Sequence, residues 1–277
     1  MRFLMNNTKL LAVDMDGTLF DDDKNISKEN LNAITKMLDQ GNVFAFNTGR
    51  PNNALKRILS IYDEFKRDNV YMLGYQGVVG TEMNSDKVLF EDCIDNDTAL
   101  ELVTEILKAD LTCLVFDNGC IYTFNENYFI ESYKQVSRES LFYITDINTL
   151  KGKNITKIMA IEYDKPERLE QFRVAHASQF DDRYDNFFSH YAFLEYVKKG
   201  TGKGNGVREL AKQLNISLSN VIACGDEEND ISMVEIAGVG VAMANARKEL
   251  KDAADYVTVN DNNHSGIAEV INKFILN

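Results

Sequence analysis

Two acidic side chains, Asp14 and Asp16, stand directly after a short apolar run at residues 10–13 and before a Gly-Thr turn. A short apolar run that ends in a turn is typical of a buried strand, and open α/β sheets bind ligands at the carboxyl ends of their strands. One carboxylate could attack phosphorus to form an acyl phosphate, while the other protonates the leaving group and later deprotonates water. Holding a carboxylate beside a dianionic phosphate requires a hard cation such as Mg²⁺. Taken alone, the pair fits a solvated turn equally well, since Asp and Gly are common turn residues.

A second polar group, Thr48, Gly49 and Arg50, follows a strand predicted at residues 43–46. The hydroxyl and the backbone amides of a Thr-Gly turn can bind phosphate oxygens, and a guanidinium adds a fork of further donors. Pro51 comes next, in a position that suits the first turn of a helix. Taken alone, Thr48 fits an ordinary loop into a helix better than it fits a ligand site.

A glycine-rich stretch at residues 200–206 contains Lys203. It is not a P-loop, because Val197 stands where that motif needs glycine and Gly204 stands where it needs serine or threonine. Lys203 instead begins a predicted helix, and an ammonium group at a helix N-terminus favours a bound anion. A lysine in a flexible surface loop is an equally good interpretation of the stretch by itself.

A further acidic group, Asp226, Asn229 and Asp230, follows a strand predicted at residues 221–224 and opens a predicted helix. Positions i, i+3 and i+4 of a helix lie on one face, so two carboxylates and a carboxamide would converge there. Such a group needs a cation or water to relieve the repulsion between its carboxylates. Acidic capping of a helix N-terminus is the alternative. It does not explain why the group follows a buried strand so abruptly, and a metal role is favoured.

Polar groups at the ends of several strands require a sheet that brings those ends together. Regions of about 8–80 and 196–277 alternate strand-like and helix-like segments, which is the pattern of a parallel α/β sheet. Between them, residues of about 82–195 hold most of the aromatic side chains and several β-rich stretches. We therefore predict an α/β fold, with a Rossmann-like parallel sheet formed by 1–82 and 196–277 and an inserted α+β domain at 83–195.

Caps and apolar runs predict the further elements of this fold. Ser27 and Asp97 are expected N-caps. The expected helices lie at 27–38, 97–108, 203–214, 230–237 and 265–275, and the other expected strands at 70–73, 120–124, 157–163, 239–243 and 256–259.

The composition limits the classes of function. A chain of 277 residues exceeds the size at which single cores stop growing, so one large or two modest domains are expected. A net charge of −13 argues against a nucleic-acid partner, which requires Lys/Arg-rich surfaces. The chain has no apolar run of about 18 residues that would span a membrane, and its first strand leaves no room for a signal peptide. The four cysteines form no C-x-x-C pair and favour reduced thiols, so we expect a soluble cytoplasmic protein.

The constellation resembles the haloacid dehalogenase-like (HAD) hydrolase superfamily, and within it the Cof-type phosphatases, whose large α/β cap is inserted between the second and third motifs. The resemblance covers essentially the whole chain, with the motifs in family order. It implies Mg²⁺ as cofactor and a role for each motif residue. By this resemblance Asp14 would be the nucleophile beside the metal, and Asp16 would be the general acid/base and, through its backbone carbonyl, a metal ligand. Thr48 would bind the transferring phosphoryl group, and Lys203 would balance the charge on nucleophile and phosphate. Asp226 would bind the metal directly and Asp230 through water, while Asn229 would position the substrate or Lys203.

Two stretches depart from the family pattern. The loop after the third strand often reads Asn-Gly-Ala in relatives but is Gln76-Gly77-Val78 here, and Glu227-Glu228 stands where less acidic residues are frequent. Neither stretch belongs to the catalytic set, so the departures bear on substrate specificity rather than on the presence of activity.

Aromatic side chains of the insertion could stack on a sugar or on another ring of a substrate. The candidates are Tyr122, Phe124, Tyr128, Phe129 and Tyr133. The alternation of Cys120, Tyr122 and Phe124 is more typical of one buried face of a sheet, so a place in the core is favoured for them.

The leading hypothesis is a Mg²⁺-dependent phosphatase of small phosphorylated metabolites, such as sugar phosphates, phosphorylated cofactors or nucleotides. We expect it to act as a monomer or small homo-oligomer, without nucleic-acid or membrane partners. A phosphomutase would use the same nucleophile but return the phosphoryl group to its substrate. A catalytically silent phosphometabolite-binding protein is the third hypothesis. Loss of Asp14, Asp16 or Asp226 would have favoured it, and all three are present.

Overall fold

The structure is a computed structural model, and it describes residues 7–117, 119–137 and 140–276, without the side chains of 135–137. The chain folds as two compact units. The first lies within Met1–Glu91 and Gly202–Asn277, and the second is Asp92–Thr201. The two structural units thus divide after Glu91 and after Thr201. The boundaries after 82 and 195 that the sequence predicts for the functional domains stay a prediction.

The elements are numbered in chain order. The strands are β1 (Leu10–Val13), β2 (Val43–Asn47), β3 (Val70–Gly74), β4 (Val79–Glu82), β5 (Val88–Glu91), β6 (Thr112–Asp117), β7 (Cys120–Thr123), β8 (Leu141–Tyr143), β9 (Ile155–Ile161), β10 (Tyr184–His190), β11 (Phe193–Lys198), β12 (Val221–Gly225), β13 (Val239–Ala242) and β14 (Tyr256–Val257). The α-helices are α1 (Lys28–Asp39), α2 (Asn52–Leu59), α3 (Asn96–Lys108), α4 (Tyr128–Ser137), α5 (Glu167–Phe180), α6 (Lys203–Gln213), α7 (Ile231–Ile236), α8 (Lys248–Ala253) and α9 (Gly266–Phe274).

The first unit is built on an eight-stranded sheet in the order β14-β13-β12-β1-β2-β3-β4-β5. Neighbouring strands from β14 to β3 are parallel, whereas β4 and β5 are antiparallel. The predicted Rossmann-like parallel core is therefore confirmed. The antiparallel strands that extend one edge were not predicted, because a hairpin that follows a strand directly has no helix to mark it.

The central strand β1 is apolar at every position because the sheet is covered on both faces. Leu11 and Val13 belong to a buried cluster that includes side chains of α1 and α9. Leu10 and Ala12 belong to a second cluster, which includes side chains of α6 and α7. A strand buried on both faces reads as a continuous apolar run, which explains why the sequence identifies it.

Most predicted bounds in this unit agree with the structure. Ser27 caps α1, and its hydroxyl accepts a hydrogen bond from the Asn30 amide at 3.2 Å. Three details differ: the segment predicted as a helix from residue 230 begins with a 3₁₀ turn at Glu228–Asp230 before α7, β14 is shorter than expected, and α8 was not predicted. In each case the segment is short, so its periodicity is too weak to mark it.

The second unit is built on a six-stranded sheet in the order β10-β11-β9-β6-β7-β8. All of its pairs are antiparallel except β7 with β8. Helices α3 and α5 pack on one face, where Val115, Ile158 and Leu194 lie in the shared buried cluster. The prediction of an inserted α+β domain is confirmed. Among the described residues, no helix combines the length and apolar character needed to cross a membrane.

One local prediction in this unit is wrong, and another is confirmed only in part. Asp95, not Asp97, caps α3, and its carboxylate accepts from the Thr98 amide at 3.1 Å. The expected core face of β7 is confirmed in part, because Tyr122 and Phe124 pack against the buried cluster of this unit. They and Cys120 are only half-buried, while Ile121 and Thr123 are buried. Strand β7 lies next to the edge strand β8, so the face of Tyr122 and Phe124 is incompletely covered.

Candidate active site

The predicted site residues lie at the carboxyl ends of adjacent parallel strands. Asp14 follows β1, Thr48 follows β2, and Asp226 follows β12, and these three strands are neighbours in the sheet. The Asp14 amide donates to the Cys224 carbonyl at 3.0 Å, and the Thr48 amide donates to the Leu73 carbonyl at 2.9 Å. The backbone is therefore hydrogen-bonded within the sheet as far as Asp14 and Thr48, which fixes the positions from which these side chains project.

A buried lysine joins two of the carboxylates. Lys203, the first residue of α6, is 2% exposed, and its Nζ lies 2.5 Å from Oδ1 of Asp14 and 2.6 Å from Oδ1 of Asp230. Burial opposes the charge on Lys203, but Asp14 and Asp230 outweigh it, so the pKa of the ammonium group lies above its ordinary value. Lys203 is therefore a fixed positive charge beside Asp14, and not a surface lysine in a flexible loop.

Asp14 carries the most perturbed carboxyl group of the site. Burial and, to a smaller extent, the neighbouring charges of Asp230 and Asp226 raise its pKa to about 7 against the pull of Lys203. A carboxylate in such a place gains from a second cation, because that cation offsets both the burial and the repulsion between the acids.

Asp226 is held by the turn that follows Asp14. Its Oδ1 accepts a hydrogen bond from the Thr18 hydroxyl at 2.6 Å, and burial raises its pKa to about 6. Gly17 has a φ of +81°, and a Cβ added there would lie 2.3 Å from Oδ2 of Asp226. The Gly-Thr turn thus supplies both the space and the donor that place this carboxylate.

Asp230 is fixed by the loop of Asp226 rather than by a helix face. Its Oδ2 accepts from the amides of Asp226 at 2.9 Å and Glu227 at 3.0 Å. The two carboxylates do converge, but the predicted reason is wrong, since residues 226–230 form a loop and a 3₁₀ turn. Asn229 points elsewhere, because its Nδ2 donates to Oε1 of Gln76 at 3.1 Å.

Three buried acids form a group that fits a divalent cation. One oxygen each of Asp14, Asp226 and Asp230 lies within 4.8 Å of the others. Carboxylate oxygens are the ligands that hard cations such as Mg²⁺ prefer. One lysine does not balance three buried carboxylates, and burial together with the repulsion between the acids raises the pKa values of Asp14 and Asp226. The chemistry of the donors and the charge of the group therefore both suit a bound divalent cation.

Asp16 stands apart from that group and is paired with two cations. Nη2 of Arg50 lies 2.9 Å from its Oδ2, Nε of Arg50 lies 3.1 Å from the same oxygen, and Nζ of Lys24 lies 2.9 Å from Oδ1. Partial burial opposes ionisation of Asp16. The hydrogen bond from Lys24 and the guanidinium of Arg50 outweigh it and lower the pKa of this carboxyl group. Arg50, a predicted substrate contact, thus holds Asp16 in this structure.

The structure also brings in three residues to which the sequence analysis gave no role. Thr18 holds Asp226, Lys24 pairs with Asp16, and Asn47 donates through Nδ2 to the Lys203 carbonyl at 3.0 Å. Thr18 and Asn47 each adjoin a motif that the sequence analysis had singled out, so adjacency was a usable signal for them. Lys24 has no comparable signal, since only the fold of the turn brings it to Asp16.

Replacing Gly17 by alanine tests the placement of Asp226, with Gly41→Ala as the matched control. Both glycines have positive φ, at +81° and +85°, so each variant should lose about 1–2 kcal/mol of unfolding free energy. Only at position 17 would the new Cβ meet the carboxylate of Asp226, since nothing lies within 4 Å at position 41. We expect catalytic activity to fall at least tenfold in Gly17→Ala alone. Equal activity in both variants would show that the turn does not place Asp226.

Known proteins are similar to this chain over nearly its full length. A family model described as haloacid dehalogenase-like hydrolase matches residues 11–271. The chain is similar to "Putative phosphatase YxeH" of Bacillus subtilis (strain 168), with 32% identity over 272 residues that cover 97% of this chain and 98% of that protein. It is also similar to a 5-amino-6-(5-phospho-D-ribitylamino)uracil phosphatase of the same organism, 25% identical over 270 residues, covering 96% and 97%.

Solved structures share the fold of the whole chain. A haloacid dehalogenase-like hydrolase from Bacteroides thetaiotaomicron has a TM-score of 0.83 and 26% identity, covering 96% of this chain and 99% of that one. The likeness extends across both units, so it includes the inserted α+β unit as well as the parallel sheet.

Proposed function

Because the chain belongs to the haloacid dehalogenase-like hydrolases and is a phosphatase of the Cof type, we propose that it hydrolyses small phosphate esters with Mg²⁺ through an aspartyl-phosphate on Asp14. The observation that carries this proposal is the buried group of Asp14, Lys203, Asp226 and Asp230. The substrates we propose are sugar phosphates, phosphorylated cofactors or nucleotides. The relative named as a ribitylaminouracil phosphatase acts on a small ester of this kind.

Asp14 is the proposed nucleophile. Its carboxylate oxygen forms a bond to phosphorus while the bond from phosphorus to the ester oxygen breaks, which leaves an acyl phosphate on the protein. The adjacent ammonium of Lys203 offsets part of the negative charge as carboxylate and phosphate approach each other. Water then attacks phosphorus as Asp16 takes one of its protons, the acyl–phosphate bond breaks, the Asp14 carboxylate is restored and inorganic phosphate leaves.

Asp16 is the proposed general acid and base. The contacts with Lys24 and Arg50 favour its ionised form, which is the form that accepts a proton from water in the second step. The first step needs a proton on Asp16 to give to the leaving oxygen. A phosphate dianion competes with Asp16 for the guanidinium of Arg50. Loss of that contact raises the pKa of Asp16 and so favours its protonated form.

The phosphoryl group is proposed to bind in the loop after β2. The Thr48 hydroxyl, the Gly49 amide and the Arg50 guanidinium supply its donors. We propose that Asp14, Asp226, the backbone carbonyl of Asp16 and, through water, Asp230 hold Mg²⁺. When bound, the ion supplies positive charge for the phosphate oxygens.

The inserted unit is proposed to serve as the cap domain of this family and to set substrate choice. The sequence-based cap boundaries are 83 and 195, and the corresponding unit of the structure is Asp92–Thr201. Assembly as a monomer or small homo-oligomer, location in the cytoplasm and the lack of nucleic-acid or membrane partners stay predictions.

Phosphate release from a panel of esters tests the proposal. The panel contains sugar phosphates, nucleotides, pyridoxal phosphate and flavin mononucleotide, each assayed with Mg²⁺ and with excess EDTA. We expect phosphate release that depends on the metal, and we expect the relative rates to rank the substrate classes. Undiminished release in EDTA would contradict the metal role, and silence across the panel from folded protein would favour a phosphomutase or a binding protein.

A further inference from the structure

The loop after β3 holds one of the departures from the family pattern, and its backbone is unusual. Tyr75, Gln76 and Gly77 have φ values of 53°, 62° and 83°. This left-handed region is unfavourable for residues that carry a Cβ and persists only where the surroundings fix it. The Tyr75 amide donates to the Arg50 carbonyl at 3.0 Å, and the Gln76 amide donates to the Thr48 carbonyl at 2.9 Å. The backbone therefore holds this loop against the proposed phosphoryl-binding loop.

The side chain of Gln76 is fixed as well. It is 8% exposed, and its Oε1 accepts a hydrogen bond from Nδ2 of Asn229 at 3.1 Å. Its Nε2 lies beside Gly49, where an added Cβ would come within 2.7 Å of that nitrogen. Glycine at position 49 thus makes room for the amide. Within the described part of the chain Nε2 has no hydrogen-bond partner, so its N–H groups are available to a ligand.

The amide lies among the loops of the candidate active site. Its partner Asn229 directly precedes Asp230, which pairs with Lys203. The neighbouring Gly77 packs on the N-terminal end of α6, where an added Cβ would lie 2.7 Å from the carbonyl oxygen of the N-cap residue. Gln76 is therefore enclosed by the loop after β2, the loop after β12 and the start of the helix that carries Lys203.

We propose that Gln76 recognises the substrate by donating a hydrogen bond from Nε2 to an oxygen of the bound phosphate ester. Asn229 is the positioning residue, because it occupies Oε1 and so turns Nε2 toward Gly49. A neutral amide adds a donor without changing the charge of the site. The acceptor is an oxygen of the phosphoryl group or a hydroxyl or carbonyl oxygen of the leaving group. This inference rests on the proposed function and specifies how the same site selects its ester.

Two variants of Gln76 test the donor. Gln76→Met keeps the length of the side chain and removes the amide, and Gln76→Glu keeps acceptor oxygens in place of the donor. We expect kcat/KM to fall about tenfold in the first, mainly through KM, and further in the second, because a carboxylate repels the oxygen it would face. Gln213→Met is the matched control, since Gln213 is exposed at the end of α6, and it should keep wild-type values. Urea unfolding confirms that the variants are folded.

The choice of ester identifies the oxygen that Gln76 contacts. Glucose 6-phosphate offers leaving-group hydroxyls, whereas the leaving group of phenyl phosphate has only the ester oxygen. If kcat/KM of Gln76→Met falls equally with both esters, Gln76 contacts an oxygen of the phosphoryl group. If it falls only with glucose 6-phosphate, Gln76 contacts the leaving group. Calorimetric binding of both esters to Asp14→Asn protein, with and without Gln76→Met, gives a readout that does not need turnover.

The failure of this inference differs from the failure of the proposed function. Binding of both esters that is unaffected by Gln76→Met, or no binding at all, overturns the role of Gln76. Binding that depends on Gln76 in a protein that releases no phosphate contradicts only the proposed function.

A double-mutant cycle tests the role of Asn229. If Asn229 acts by orienting Gln76, then Asn229→Ala should lower kcat/KM in the wild-type background and change it little in Gln76→Met. Additive losses would contradict the positioning role, because they would mean that Asn229 acts on the substrate independently of Gln76.

Discussion

Asp14→Asn should lower kcat by a factor on the order of 10⁴ or more while leaving the fold intact. An amide oxygen does not attack phosphorus, so no acyl phosphate forms. Asparagine has the shape of aspartate, and its Oδ1 can still accept the hydrogen bond that Lys203 now donates to Asp14. Since burial raises the pKa of the Asp14 carboxyl group to about 7, its removal should not destabilise the metal-free protein. Steady-state phosphate release and urea unfolding measure the two effects.

A matched control for this variant is Asp252→Asn. Asp252 lies in α8 of the same unit, and its carboxylate is 63% exposed and paired with Lys248 one helical turn away. Exposed pairs of this kind contribute little, so activity and stability should both stay at wild-type values. Near-normal turnover in Asp14→Asn would remove the basis for every residue role proposed here.

Lys203→Met should have the second-largest effect, on stability as well as on turnover. The substitution leaves the carboxylates of Asp14 and Asp230 buried without their shared cation. Removing one partner of a buried ion pair costs about 3–5 kcal/mol, because the remaining charge is uncompensated. We expect a loss of this size in urea unfolding of the metal-free protein and a loss of several orders of magnitude in kcat. Lys212→Met, at a position of α6 with a side chain 72% exposed, should change neither.

The pH dependence of that variant has a defined sign. The pKa of Asp14 is raised from 3.8 to about 7 even with Lys203 in place. A carboxyl group whose folded pKa lies above its unfolded pKa binds more protons in the folded state, so it destabilises the fold progressively as pH rises through that interval. Removal of Lys203 raises the pKa of Asp14 further, so Lys203→Met should lose stability progressively from about pH 4 to beyond pH 7, and Mg²⁺ should restore part of it. Stability of this variant that rises with pH would contradict the burial argument.

Local sequence patterns predict those parts of the fold whose structure is determined by a few consecutive residues. The apolar run of β1 and the turn after Asp14 are of this kind, because a strand covered on both faces leaves an unbroken apolar signal. The cap of α3 was misassigned because Asp95 and Asp97 are two residues apart and both are good N-caps. Only the path of the backbone decides between them. Strands β4 and β5 were missed for a similar reason, since their pairing depends on a hairpin that returns to β3.

The candidate site was predictable as a set of strand ends but not as a set of contacts. Asp14, Thr48 and Asp226 could each be assigned to the end of a strand, and adjacent parallel strands bring such ends together. The contact of Gln76 with Asn229 spans 153 residues, and no spacing in the sequence specifies it. The bridging of Asp14 and Asp230 by Lys203 likewise depends on the packing of α6 against the sheet.

Chemical trapping of the intermediate tests the central claim most directly. Borohydride reduces an acyl phosphate of aspartate to homoserine, so enzyme quenched during turnover with Mg²⁺ and its best ester is treated with borohydride, digested and analysed by mass spectrometry. We predict homoserine at position 14, and its absence without substrate, without metal or in Asp14→Asn protein. Homoserine at another position, or an unmodified Asp14 in enzyme that is turning over, would contradict the account.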